Sequence, residues 1–149
     1  MELNILPFSS LTNRQLYEIL RLRSAVFIVE QQGCYQDLDG IDCEALHIFF
    51  QEPDGAVTGC IRIFPREGEP NTVQLGRLVV SRRMQGLGRV LMEAAEKAAL
   101  NTYGADHVFL TGRRSARGFY EKCGYQAQVP QGYREADAPY FLFRKNITV

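Results

Sequence analysis

Between Val73 and Ala98 the sequence runs from a strand-forming stretch through closely spaced glycines into a long amphipathic helix. Val73, Leu75, Leu78, Val79 and Val80 lie in a β-branched, apolar run, and Leu87, Val90, Leu91, Ala94, Ala95 and Ala98 recur at i, i+3 and i+4. Arg83-Met84-Gln85-Gly86-Leu87-Gly88 joins the two. Glycines at a helix start leave backbone N–H groups uncovered by Cβ atoms, at the positive end of the helix dipole. Such a turn is prepared to bind an anion.

The spacing restricts which anion. A dinucleotide fold needs Gly-x-Gly-x-x-Gly with an acid about 20 positions on, and a nucleoside-triphosphate loop needs Gly-x4-Gly-Lys-Ser/Thr. Neither pattern occurs. At 149 residues, a single domain over 1–149 is expected; a chain of this size buries about two-thirds of its unfolded surface without disulfides. Formal net charge is zero and no Lys/Arg block is present, which argues against nucleic acid or an anionic membrane as partner. Cys34, Cys43, Cys60 and Cys123 form no Cys-x-x-Cys pair, and His47 and His107 flank none of them at zinc spacing, so reduced thiols and no metal are expected. The N-terminus has no basic-then-apolar leader and no apolar run reaches about 18 residues, so a cytoplasmic protein is expected.

Along the chain, residues 2–8 read as a strand. Ser9-Ser10-Leu11-Thr12 offers caps for a helix running through Glu30, which delivers Glu30 and Gln31 from its last turn. Gln32 to Ala45 reads as a loop with one short turn. Leu46–Gln51 and Ala56–Phe64 form a hairpin about Pro53-Asp54-Gly55. A strand over His107–Leu110 follows the central helix, then a short helix over Ser115–Cys123 stopped by Gly124, then strands over Tyr125–Val129 and Tyr140–Arg144. The order describes an α/β (α+β) mixed sheet with helices on both faces. Charge is uneven along it. From Ser24 to Ile61 there are seven acids, Glu30, Asp37, Asp39, Asp42, Glu44, Glu52 and Asp54, and no Lys or Arg; from Arg77 to Lys145 bases outnumber acids twelve to six. That polarity suits a protein joining a polyanionic cofactor to a cationic amine, and equally a solvated surface with chance asymmetry.

Arg83-x-x-Gly86-x-Gly88, after a strand and before Arg89-Val90-Leu91-Met92-Glu93, resembles the pyrophosphate signature of the GCN5-related N-acetyltransferases. Phe119-Tyr120-Glu121-Lys122-Cys123-Gly124-Tyr125, with Tyr120 standing 32 residues after Gly88, resembles the "FYEK-x-GF" helix of the same superfamily. Arg21-Leu22-Arg23 through Val26-Phe27-Ile28-Val29-Glu30-Gln31, then Tyr35-Gln36-Asp37-Leu38-Asp39-Gly40-Ile41-Asp42 and His47, is similar to its ElaA-type branch, as are Arg62 and Gly76-Arg77. Three departures stand out: Ser81-Arg82 leads straight to Arg83 with a shortened connector, Met84 occupies the usual first glycine, and Arg113 stands where many relatives have Asn.

The resemblance implies the acyl-CoA N-acyltransferase fold, a mostly antiparallel mixed sheet, and an acetyl-CoA-dependent N-acetyltransferase using direct attack by a primary amine of a small molecule or peptide. Coenzyme contacts are then expected from Leu78, Val79, Val80, Arg83, Met84, Gln85, Gly86, Leu87, Gly88, Arg89, Arg113 and Phe119. Transfer needs a neutral amine, a polarised carbonyl and a proton for the departing sulfur. The resemblance assigns the last to Tyr120, whose alternative is packing beside Phe119. Glu30 is the candidate base, or else a helix-terminal carboxylate bonded to loop amides. Tyr35, Asp37, Asp39, His47 and Arg62 are candidates for the acceptor site; turn capping remains open for the two aspartates and a structural role for His47. Many members of the superfamily pair as homodimers, but no stripe in this sequence marks an interface. A non-catalytic acyl-CoA sensor is the alternative from a different class.

Overall fold

The computed structural model describes residues 1–81 and 86–147. Seven strands form one mixed sheet in the order β1-β2-β3-β4-β5-β7-β6. The chain divides into two compact units, Met1–Phe64 with Arg77–Ala95, and Pro65–Gly76 with Glu96–Val149.

The first unit is a meander with a helix packed on it. Strands β1 (Glu2–Pro7), β2 (Leu46–Gln51) and β3 (Val57–Pro65) pair antiparallel, with Ile5 opposite Ile48 and Ile48 opposite Ile61. The β2–β3 turn closes through the Gly55 N–H, which donates to the Glu52 carbonyl at 2.8 Å. Helix α1 (Asn13–Arg23) opens on a capping box: the Gln15 N–H donates to Thr12 Oγ1 at 3.0 Å, and the Thr12 N–H donates to Gln15 Oε1 at 2.9 Å. Both reciprocal bonds satisfy amides that the helix start leaves free. The chain then stays helical to Glu30, but over Ser24–Glu30 it widens into a π turn. Ile19 and Leu22 of α1 are buried with Phe49, Val57, Cys60 and Val79, and Leu6, Leu11, Val26 and Phe27 pack at the edge of this cluster.

In the second unit the first half of β4 (Thr72–Val80) runs parallel to β5 (His107–Arg113), from Thr72 opposite His107 to Leu75 opposite Leu110. Strand β7 (Tyr140–Asn146) pairs antiparallel with β5 on one side and β6 (Gln126–Gln128) on the other. Strand β5 extends past the expected Leu110 because Thr111, Gly112 and Arg113 keep their register with Leu142, Phe141 and Tyr140. Helix α2 (Leu87–Tyr103), whose residues are divided between the two units, buries Leu91, Met92, Ala95, Ala98 and Ala99; of the stripe expected from periodicity Leu91, Ala95 and Ala98 are buried, Leu87 and Ala94 are half-buried and Val90 is exposed. Helix α3 (Arg117–Lys122) ends where Gly124 takes φ +92°, a left-handed stop that spares the chain a Cβ clash. Among the described residues no helix is long and apolar enough to cross a membrane.

Phe49 is fully buried in the first unit's cluster. Phe49→Ala is expected to cost about 3–5 kcal/mol of unfolding free energy in urea titration, through lost transfer energy and the cavity left behind.

Candidate active site

A cavity of about 470 Å³ in the first unit is lined by Val26, Phe27, Glu30 and Gln31, which follow α1, and by Leu78, Val79 and Val80 at the end of β4. Local backbone chemistry shapes both walls. In the π turn the Gln31 N–H reaches five residues back to the Val26 carbonyl at 2.9 Å, and the Gly33 N–H closes on the Phe27 carbonyl at 3.0 Å. A Cβ at position 33 would lie 2.5 Å from that carbonyl oxygen, so only glycine lets the chain leave the turn this way. On β4 the ladder to β5 ends at Leu75. Two residues on, Arg77 adopts φ +57°, a left-handed conformation that costs a non-glycine residue about 1–2 kcal/mol. The kink redirects the peptide groups that follow before the Ser81 N–H rejoins Thr58 with a 2.8 Å bond to its carbonyl.

The expected coenzyme residues divide between the units. Leu78, Val79 and Val80 line the cavity. Gly86 takes φ +87° and its carbonyl accepts the Val90 N–H at 3.0 Å, so α2 begins with the amides of Leu87, Gly88 and Arg89 lacking partners within the helix. The Arg89 side chain is exposed and pairs with Glu93 at 3.3 Å. Arg83, Met84 and Gln85 lie outside the described residues. Arg113 and Phe119 belong to the second unit, where both are exposed.

Five residues expected at the acceptor site, Tyr35, Asp37, Asp39, His47 and Arg62, come together in the first unit, but none of them lines the cavity. Asp37, Asp39 and Arg62 belong to a closed ring of alternating charges, and Tyr35 and His47 flank it. Arg23 meets Asp37 at 3.1 Å, Asp37 meets Arg77 at 2.8 Å, and Arg77 meets Asp39 at 3.4 Å. Asp39 meets Arg62 at 2.6 Å, Arg62 meets Asp42 at 3.0 Å, and Asp42 returns to Arg23 at 2.7 Å. Three cations and three anions cancel. Arg23 is 1 % exposed and Arg62 4 %, a depth at which an unpaired charge would be very costly. Tyr35 lies against the Arg77 guanidinium, 5.5 Å from its ring centre. His47 is buried and its Nε2–H donates to the Asp42 carbonyl at 2.8 Å, leaving Nδ1 without the proton in the neutral ring.

The ring sets the ionisation of its members. Burial would raise the Asp42 carboxyl, but hydrogen bonds from Arg23 and Arg62 outweigh it and hold it below the ordinary value. The Arg62 hydrogen bond holds Asp39 down to about 2. Burial pushes His47 below its usual 6.5 despite its bond to the Asp42 carbonyl. Arg23 sits on the apolar stripe of α1, and that position was the available signal that the Asp-x-Asp-x-x-Asp segment would be needed as its counter-ion. Gln31 is placed beside Glu30 at the helix end by the sequence, while Val26, Phe27 and Arg77 enter through the family resemblance and nothing in their spacing marks them as site residues.

Tyr120 lies in the second unit, half-buried on α3, with its ring 4.9 Å from Phe143 and 5.2 Å from Phe119. Gly112 makes room for it: a Cβ there would stand 2.6 Å from Tyr120 Cε2. Burial, helped by Cys123, pushes its phenol up to about 12. It is therefore protonated at neutral pH and able to donate a hydrogen bond. Nearby, the Tyr125 hydroxyl donates to Glu96 at 2.8 Å, and Lys145 Nζ donates to Glu96 at 2.9 Å and to the Cys123 carbonyl at 2.8 Å.

Two outcomes follow from these geometries. Because the folded chain resists protonating His47 while the unfolded chain does not, stability should fall as pH drops below 6.5. It should fall again from 3.8 toward about 2 as Asp39 is protonated. Urea midpoints measured from pH 8 to pH 2 check both steps, and His47→Gln should abolish the upper one. Gly112→Ala should displace the Tyr120 ring, which its near-ultraviolet circular dichroism would register.

The model of the acetyltransferase (GNAT) family matches residues 15–125. Protein ElaA of Escherichia coli is 32% identical over 146 residues, covering 95% of this chain and 94% of ElaA. A UPF0039 protein of Schizosaccharomyces pombe is 31% identical over 140 residues, covering 92% and 91%. Among solved structures, an acyl-CoA N-acyltransferase from Pseudomonas aeruginosa matches with TM-score 0.84 and 31% identity over 97% of this chain and 99% of its own. Escherichia coli ElaA matches with TM-score 0.84 and 29% identity over the same 97% and 99%. With the family model spanning most of the sequence and relatives aligned over nearly its full length, the chain belongs to the GNAT acetyltransferase family.

Proposed function

We propose that this protein transfers an acetyl group from acetyl-CoA to a primary amine of a small molecule or peptide, by direct attack within a ternary complex. The observation that carries the reading is the cavity itself, where Glu30 is the only titratable side chain among the described lining residues and the kinked end of β4 lines the same space. The fit to an acyl-CoA is chemical. The α2 start presents amides without partners inside the helix, suited to a pyrophosphate, and Leu78 to Val80 offer apolar side chains with backbone N–H groups beyond the β5 ladder.

Each residue then has a defined task. Glu30 accepts a proton from the incoming ammonium, directly or through one water, which frees the amine lone pair. A backbone N–H near Val79 or Val80 polarises the thioester carbonyl. As the C–N bond forms and the C–S bond breaks, Tyr120 donates a hydrogen bond to the departing thiolate. A phenol near 12 is a weaker acid than a thiol near 8.5, so Tyr120 stabilises the anion and solvent completes its protonation. Arg83, Gly86, Gly88 and Arg113 serve the coenzyme's phosphates in this reading.

The test combines binding with turnover. Calorimetry should show heat with coenzyme A, and thiol release from acetyl-CoA should occur with at least one member of a panel of polyamines, amino sugars and lysine peptides. Tyr120→Phe, which keeps the ring contacts, is expected to lower kcat about 100-fold while KM for acetyl-CoA changes little. Glu30→Gln is expected to cost about 100-fold in kcat/KM for the amine. Coenzyme binding without turnover of any amine would indicate a sensor instead, and absence of binding would remove the reading altogether.

A further inference from the structure

We infer that Asp37 is a positioning residue that holds the two walls of the cavity in register, an inference resting on the acyl-transfer reading of that cavity. Arg23 immediately precedes the π turn that carries Val26, Phe27, Glu30 and Gln31, and Arg77 immediately precedes Leu78. Asp37 is the residue on which both arginines converge. Its Oδ2 accepts from Arg23 Nε at 3.1 Å, and its Oδ1 stands 2.8 Å from Arg77 Nε. Its backbone carbonyl accepts from Arg23 Nη2 and from Arg77 Nη2, each at 3.1 Å. Arg23 therefore grips Asp37 through two hydrogen bonds, and Arg77 holds it through one hydrogen bond to the carbonyl and a close charge contact at Oδ1 that lacks hydrogen-bond geometry. The grip on Arg77 also accounts for its left-handed φ of +57°, which the chain tolerates although a glycine stands one position earlier.

Asp37 Oδ2 and the Asp37 carbonyl accept hydrogen bonds from these guanidiniums, Oδ1 lies in charge contact with Arg77, and the residue is 5 % exposed. It acts on the reaction through the walls it joins and not by touching an acceptor. Asp42 provides the matched comparison. It accepts from Arg23 Nη1 at 2.7 Å and from Arg62 Nη1 at 3.0 Å, so it belongs to the same ring, yet its bonds join Arg23 to Arg62 and leave the Arg23–Asp37–Arg77 bridge alone. Asp37→Asn and Asp42→Asn each remove one negative charge. A difference between them reports position and not charge.

The experiment measures amide hydrogen exchange and steady-state kinetics on the full chain for the parent, Asp37→Asn and Asp42→Asn. In Asp37→Asn the segments over 24–31 and 78–80 should exchange about tenfold faster than the change in global stability explains. Its kcat should fall about tenfold or more with KM for acetyl-CoA within about threefold. Asp42→Asn should lose global stability without singling out those two segments, and should keep its kcat per folded molecule within about threefold. Arg77→Lys, which retains charge but cannot combine the carbonyl hydrogen bond with the Oδ1 contact, should loosen 78–80 and leave 24–31 as in the parent, and it decides the matter if Asp37→Asn does not fold. Parent-like exchange at both walls in Asp37→Asn, equal loosening in Asp42→Asn, or loosening of both walls or neither in Arg77→Lys would overturn the inference. If the parent neither binds coenzyme A nor transfers acetyl, the acyl-transfer reading falls, while the exchange comparison still decides the role of Asp37.

Discussion

Six ionised side chains alternate in sign around a closed circuit, and the first unit is arranged to accommodate it. Arg23 and Arg62 reach the interior from a helix and a strand, and a fourteen-residue stretch with little regular structure, residues 32–45, supplies the aspartates that neutralise them. Burying a charge is unfavourable unless every partner is present, and removing one partner from a buried pair costs about 3–5 kcal/mol. The circuit satisfies that requirement. It also gives an otherwise irregular loop a single conformation, because specific oxygens must meet specific guanidinium nitrogens, whereas apolar contacts would tolerate slippage.

The same neutrality revises how the sequence's charge asymmetry is read. Seven acids without a Lys or Arg between Ser24 and Ile61 look like an attractive field for a cationic amine. In the fold, Asp37, Asp39 and Asp42 are spent on arginines that lie outside or at the edges of that window, so their fields cancel at short range. Of the seven acids, the cavity lining retains Glu30. The described side chains lining the cavity are then one carboxylate, one amide and five apolar groups.

Much of the architecture was legible because it follows local rules. The Thr12 cap, the β2–β3 hairpin and the Gly124 stop depend on residues a few positions apart, and the structure has each where turn chemistry put it, whereas the buried face of α2 turns away from the expected stripe to take in Met92 and Ala99 and leave Val90 exposed. The candidate site was legible only in part. The order strand, glycines, helix identified Leu78 to Val80 and Gly86 to Gly88 as a unit, and Glu30 was found from its place at a helix end. The partners of the aspartates were not legible, since pairing across 14 to 40 positions leaves no spacing signal. Nor was the kink in β4: the glycine is at position 76, but the left-handed residue is Arg77, held by tertiary contacts that override its own preference.

The widened turn over Ser24–Glu30 carries one residue more per rung than an ordinary helix, with Gln31 reaching back to Val26. A segment of this kind is equivalent to a single-residue insertion absorbed without disturbing the helix before it or the loop after it. Loss of one codon there would relax the segment to α-helical winding and rotate a neighbour of Glu30 into its place. The chemical group offered at this point of the cavity can therefore change by a length difference as readily as by a substitution.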